Sequence, residues 1–184
     1  MTIDQSVLQW MLDHRTPGLT DVVTVITNSG GTIATFLITT VVTLALLARR
    51  YTAEAVIVAG AMLSGWVAMS LLKLLFGRQR PPIPQRLVDL DSHSFPSGHA
   101  MMTAILACVL GVVVLRLLAP GIRRNLLLVL LACYTLAVGV SRVYLAAHWL
   151  SDVVAGWAFG VAWALLWIWA ISRRNASRTR TIEV

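Results

Sequence analysis

Apolar positions along the chain change their spacing near residue 31. Before it they recur at helical intervals. Ile3, Val7, Trp10 and Met11 fall at i, i+4, i+7 and i+8. Leu19, Val22, Val23 and Ile26 fall at i, i+3, i+4 and i+7, and Asp4, Asp13 and Asp21 are interspersed. Each set makes one apolar stripe on a helix. Pro17-Gly18 separates the two stripes. The pattern predicts two short amphipathic helices in residues 1–30, lying in a membrane interface or packing on a bundle. The alternative is that part of 19–26 extends the segment that follows.

After residue 31 the stripes give way to near-continuous apolar runs at 31–48, 53–75, 98–118, 126–140 and 153–171. A helix needs about 20 apolar residues to cross the hydrocarbon of a bilayer. The first and fourth runs are short by that measure. The predicted fold is all-α, a polytopic transmembrane helical bundle of about five spanning helices with amphipathic helices before it. The chain reads as one integral membrane domain over 1–184. It divides into interfacial helices (1–30), the bundle (31–172) and a basic cytoplasmic tail (173–184). No internal repeat interrupts it, and the acidic, amphipathic start does not read as a cleavable signal.

Composition supports this reading. Hydrophobic residues make up 58% and charged residues 12%, against roughly 45–50% and about 25% in soluble domains. The mean hydropathy is +0.78. A formal charge of +7 would point to nucleic acid in a soluble chain. Here the basic residues sit mostly between apolar runs, as topology signals do, so no nucleic-acid partner is expected. Cys108 and Cys133 lie within apolar runs, with neither a disulfide framework nor metal-ligand spacing.

Charge also orients the chain. With five spans, Arg49, Arg50, Arg116, Arg123, Arg124, Arg173, Arg174, Arg178 and Arg180 share one side with Glu54 and Glu183. That side is expected to be cytoplasmic. The other side holds the N-terminal segment and Lys73, Arg78, Arg80, Arg86 and Arg142, with Asp89, Asp91 and Asp152.

Topology does not explain why these outer cations cluster with histidines. Lys73 lies near the end of a run and Arg80 precedes Pro81. Seven residues are two helical turns, so both cations can share a face. Alone, the pair also fits snorkelling cations at an interface. Pro96-Ser97-Gly98-His99 opens the third run. A helix start offers free N–H groups to an anion, and Ser97 can cap it. His93 reads as an exposed loop residue. Ser141-Arg142 is followed by His148 and Asp152. Spaced i, i+4, the last two can share a helical face, so the carboxylate can fix the imidazole tautomer and leave one nitrogen free. Ionisable residues beside spanning helices are costly and usually functional.

Together these groups suit phosphoryl transfer. Lys73, Arg80 and Arg142 can neutralise phosphate oxygens, and the amides of 97–99 can add hydrogen bonds. His148 can attack phosphorus, and His99 can protonate the leaving oxygen. The cage is expected to raise both histidine pKa values. The three cations would replace a metal, so no metal and no cofactor are expected.

Lys73–Pro81 matches K-x-x-x-x-x-x-R-P, Pro96–His99 matches P-S-G-H, and Ser141–Asp152 matches S-R-x-x-x-x-x-H-x-x-x-D. These three stretches, in this order, resemble the type 2 phosphatidic acid phosphatase family, the lipid phosphate phosphatases, whose site vanadium haloperoxidases share on a soluble fold. The resemblance covers somewhat under half of the chain. It implies a helical bundle and metal-independent hydrolysis through a phosphohistidine. It implies His148 as nucleophile, Asp152 as its partner and His99 as general acid. Lys73, Arg80, Ser97, Gly98 and Arg142 would hold the phosphate. Membrane members of the family often have six spans, one more than is read here.

The implied substrate is a membrane lipid phosphate or diphosphate in the outer leaflet. Polyprenyl (undecaprenyl) phosphates or diphosphates and phosphatidylglycerol phosphate are favoured over phosphatidic acid. Compact size and brief loops look bacterial, which places the chain in a plasma membrane with the site facing the extracytoplasmic side. Trp149 and Trp157 are candidates to meet the lipid chain, or else are interfacial anchors. The alternatives are a vanadate haloperoxidase, a metal hydrolase using His99, His148 and Asp152, a non-hydrolytic lipid transporter, and a serine protease built on Ser97-Gly98. Oligomeric state is left open.

Overall fold

The computed structural model describes residues 1–88 and 90–182, with side chains through Arg173. Asp89, Glu183 and the side chains of Arg174, Arg178 and Arg180, which were used above to orient the chain, lie outside the described residues. The elements are α1 (Ile3–Asp13), α2 (Pro17–Ser29), α3 (Thr32–Ala48), α4 (Thr52–Phe76), α5 (Gly98–Leu117), α6 (Ile122–Tyr144) and α7 (Leu150–Ile182). No strand occurs among the described residues.

Local chemistry sets the helix ends. Thr2 and Gln5 form a reciprocal capping box on α1. Thr16 caps α2, with Pro17 at its first position. α4 ends at Gly77, which is left-handed at φ +56° and so favours glycine. The helix therefore stops before Arg80, and the predicted shared helical face for Lys73 and Arg80 is not formed. α6 runs well beyond 126–140 at both ends. Arg123 and Arg124 enter its first turn and Arg142 its last, so the fourth run is a full-length span with charged ends.

α4, α5, α6 and α7 are each long and apolar enough to cross a membrane, and α2 with α3 qualifies as one span bent by 47°. The bend falls at Gly30-Gly31. α2 does not float in the interface. It runs along α6, with Thr20 Oγ1 3.0 Å from the Tyr144 hydroxyl. Further along, Tyr134 donates to the Ser29 carbonyl at 2.8 Å. Packing on the bundle is one of the two placements predicted for residues 1–30, and by length and composition α2 also passes with α3 as one bent span. α1 packs on α6 and α7.

α5 is the central helix, in contact with α3, α4, α6 and α7. Ile57, Val58, Met62, Ile105, Leu106 and Val109 form the buried core. α7 approaches α5 through Gly156 and Gly160. A Cβ on these residues would lie 2.7 Å from the Ser97 carbonyl and 2.5 Å from that of Met101. Small residues one turn apart permit such backbone contact between membrane helices. Large apolar residues stay exposed around the bundle, among them Ile33, Leu37, Val41, Leu71, Leu74, Val129, Leu130, Leu165 and Trp169. A bilayer is the medium that covers such a belt. The chain is a multi-pass membrane protein.

At one end of the bundle Arg116 joins Glu54 at 3.2 Å and Ser172 at 3.0 Å, tying α4, α5 and α7 together. The opposite end carries the C-terminus of α4, the N-terminus of α5, the turn between α6 and α7, and the 77–97 loop.

Candidate active site

That opposite end gathers the predicted chemistry. A cavity of about 250 Å³ is lined by Lys73, Arg80, Gly98, His99, Arg142 and His148, together with apolar residues from α3, α4 and α5. Six of the eight candidate residues therefore meet in one space. Ser97 and Asp152 do not line it. They sit behind it, both fully buried.

His148 is not on a helix with Asp152. It lies in the turn before α7, and Asp152 lies in the first turn of that helix. The two meet because Asp152 folds back on the helix start. Its Oδ2 accepts from the Trp149 amide at 3.0 Å and from the Ser94 hydroxyl at 2.5 Å, and it lies 3.4 Å from His148 Nδ1. Its Oδ1 pairs with Arg78 at 2.5 Å. The other imidazole nitrogen, Nε2, is 3.1 Å from Arg80 Nη1. A cation there requires a lone pair on Nε2, so the proton sits on Nδ1, toward the carboxylate.

Burial first, then the Arg80, Arg142 and Lys73 cations, push the His148 imidazole down to about 3, against the Asp152 hydrogen bond. The expected rise is reversed for this histidine in the protein alone. Cations that attract phosphate repel a proton, and only a bound anion would offset them.

Arg80 is held tightly. It donates to the Ser92 carbonyl at 2.7 Å, the Ala147 carbonyl at 2.6 Å and the Ser92 hydroxyl at 3.0 Å. Lys73 donates to the His93 carbonyl at 2.6 Å, and the His93 side chain is exposed, as expected. Arg142 is buried. Its Nη1 donates to Thr27 at 2.8 Å, while its buried Nε has no hydrogen-bond partner among the described residues. Ser97 caps α5 through Ala100. Its own amide donates to the Asp152 carbonyl at 3.0 Å, so that N–H is not available to an anion as expected. Gly98 and His99 keep first-turn amides, which have no intrahelical acceptor.

Several partners were not legible in the sequence. Ser94, Thr27 and Arg78 belong to no spacing pattern, and their roles come from contacts between elements far apart in the chain. Arg78 also joins Asp4 of α1 at 2.8 Å, and Asp4 accepts from the Ser151 amide at 2.9 Å. Trp149 and Trp157 do not reach the cavity. Trp149 donates to the Gln79 carbonyl and Trp157 to that of Thr135. Phe36, Trp66, Met69 and Met102 are the large apolar residues in the lining.

A membrane bundle whose cations and paired histidine converge on one cavity defines a membrane phosphatase. The chain belongs to the PAP2 superfamily, whose sequence pattern matches residues 53–176. It is 28% identical to phosphatidylglycerophosphatase B of Bacillus subtilis over 160 residues, covering 86% of this chain and 78% of that protein. It is 35% identical over 105 residues to decaprenylphosphoryl-5-phosphoribose phosphatase of Mycobacterium tuberculosis, covering 55% of this chain and about half (52%) of that protein. Among solved structures, the transmembrane PAP2-type phosphatidylglycerolphosphate phosphatase of Bacillus subtilis superposes with a TM-score of 0.85 at 25% identity, over 92% of this chain and 85% of that one. LpxE of Aquifex aeolicus superposes with a TM-score of 0.73 at 22% identity, over 91% and 96%, and shares the fold.

Proposed function

We propose that the protein dephosphorylates a membrane lipid phosphate or diphosphate without a metal, through a phosphohistidine on His148, and that the whole chain 1–184 acts as one domain. One observation carries the reading. His148 Nε2 faces the cavity beside Arg80, backed by Asp152, and Lys73, Arg142, His99 and Gly98 line the same space.

In the first step the Nε2 lone pair attacks phosphorus and the bond from phosphorus to the lipid oxygen breaks. His99 gives its proton to the departing oxygen. Arg80 transfers its hydrogen bond from Nε2 to a phosphoryl oxygen, and Lys73, Arg142 and the first-turn amides of α5 share the developing charge. In the second step water attacks phosphorus, neutral His99 takes its proton, and the N–P bond breaks. Inorganic phosphate leaves, and His148 is restored. Asp152 holds the Nδ1 proton throughout and stabilises the cationic ring.

Metal independence is supported by what the candidate ligands already do. Both Asp152 oxygens are committed to Arg78, Ser94 and Trp149, and three cations line the space a metal would need. The favoured substrates are polyprenyl phosphates or diphosphates and phosphatidylglycerol phosphate, in keeping with the names of the relatives. Phe36, Trp66, Met69 and Met102 supply an apolar wall for the lipid chain. The charge bias supports a site toward the outer leaflet, and the compact size and brief loops support a bacterial plasma membrane.

The test is phosphate release by purified protein in detergent with EDTA present. Polyprenyl diphosphate, phosphatidylglycerol phosphate and phosphatidic acid would be compared, with His148→Ala as control. Release that survives EDTA and disappears in the variant is expected. Full activity in His148→Ala would overturn the mechanism.

A further inference from the structure

Next to the catalytic cavity lies a second cleft, of about 300 Å³, that shares Arg80, Leu90 and Ser92 with it. Arg78, Arg86, Gln79 and His93 also line this cleft. Three arginines and a histidine thus line it, with no carboxylate residue in its wall among the described residues.

The three arginines are not equivalent. Arg78 is neutralised by Asp4 and Asp152. Arg80 spends its donors on Ser92, Ala147 and His148. Arg86 has a buried Nε without a hydrogen-bond partner among the described residues. A charged donor left unpaired is costly, and an anion relieves that cost. Arg86 also stands close enough to Arg80 to add, after burial, to the lowering of its pKa to about 10. Mutual repulsion of two cations is what a multiply charged anion between them removes.

We infer that the Arg86 cleft is a second phosphoryl-binding subsite, next to the catalytic cavity across Arg80. This rests on the phosphatase reading above. Two sources can supply the phosphoryl group. One is the second phosphate of a substrate that carries two, which would make such lipids the preferred class. The other is inorganic phosphate leaving the cavity toward water.

The experiment compares wild type, Arg86→Gln and Arg86→Lys on a lipid monophosphate and a diphosphate of the same chain, with inorganic phosphate as inhibitor. If the substrate's second phosphate binds there, Arg86→Gln lowers the diphosphate-to-monophosphate ratio of kcat/KM about tenfold, the usual weight of a charged hydrogen bond. If released phosphate binds there, the ratio holds and the Ki for inorganic phosphate rises about tenfold. In either case Arg86→Lys, which keeps the positive charge, stays close to wild type. The inference is overturned if neither quantity moves, or if both substrates and the inhibitor weaken in parallel. Failure of the phosphatase reading looks different. Wild type then releases no phosphate, or His148→Ala releases as much, and the subsite falls with it.

Discussion

The two nitrogens of His148 meet opposite surroundings: a carboxylate and a hydroxyl at Nδ1, a guanidinium at Nε2. Its lowered pKa has a consequence for stability. Between pH 6.5 and about 3 the unfolded chain binds a proton that the folded chain refuses. Stability from this residue is therefore complete above pH 6.5 and is lost as pH falls through that window. Melting temperatures in detergent should fall less between pH 7 and pH 5 for His148→Gln than for wild type. Arg142 lines the cavity, donates to Thr27 of α2 and keeps a buried Nε without a hydrogen-bond partner among the described residues. Arg142→Ala should lower kcat/KM by about 10²-fold or more, as loss of one charge-stabilising donor does, measured as phosphate release.

Among the elements, α1 has an unexpected position. Asp4 reaches Arg78, and Arg78 reaches Asp152, so a helix outside the spans is linked through Arg78 to the carboxylate beside His148. Lys73, Arg80 and Arg142 face the same histidine from α4, the loop and α6, with His99 from α5. Removing Arg78 leaves Asp152 free to favour the imidazolium. Removing the charge of Asp4 leaves Arg78 wholly to Asp152. The acid limb of kcat/KM set by His148 should move to higher pH in Arg78→Gln and to lower pH in Asp4→Asn. A purely structural role predicts no such opposition. At the α5–α7 crossing, a Cβ on Gly156 would press on the Ser97 carbonyl, which is backbone and cannot swing away. Gly156→Ala should cost about 1–3 kcal/mol, the range for overpacking, read as a lower melting temperature, with activity falling because Gly98 and His99 move with α5.

For the whole molecule, the cations divide between the two ends. Arg49, Arg50, Arg116, Arg123 and Arg124 border the end away from the cavity, while Lys73, Arg80, Arg86 and Arg142 lie at the cavity end. The first group supports a cytoplasmic assignment under the positive-inside rule. A reporter fused after Val184 should be found in the cytoplasm. A reporter found outside would reverse the topology and move the proposed substrates to the inner leaflet.

The sequence by itself determined the all-helical membrane class, because unbroken apolar runs of spanning length have few other solutions in water or lipid. It also made most of the candidate site legible, because Lys73–Pro81, Pro96–His99 and Ser141–Asp152 hold chemistry that an apolar chain otherwise excludes. It left the placement of 19–26 open, since its amphipathic stripe suits an interface and a bundle equally. Packing of α2 along α6 decided that. Spacing misread two local geometries, the Lys73–Arg80 face and the His148–Asp152 helix, because Gly77 and the turn before α7 interrupt the period. Only the tertiary structure placed Ser94, Thr27, Arg78 and Asp4, and only it showed that Ser97 and Asp152 stand behind the cavity. Such partners meet across elements distant in the chain, and no local period encodes which side chain from another helix will arrive to satisfy a buried charge.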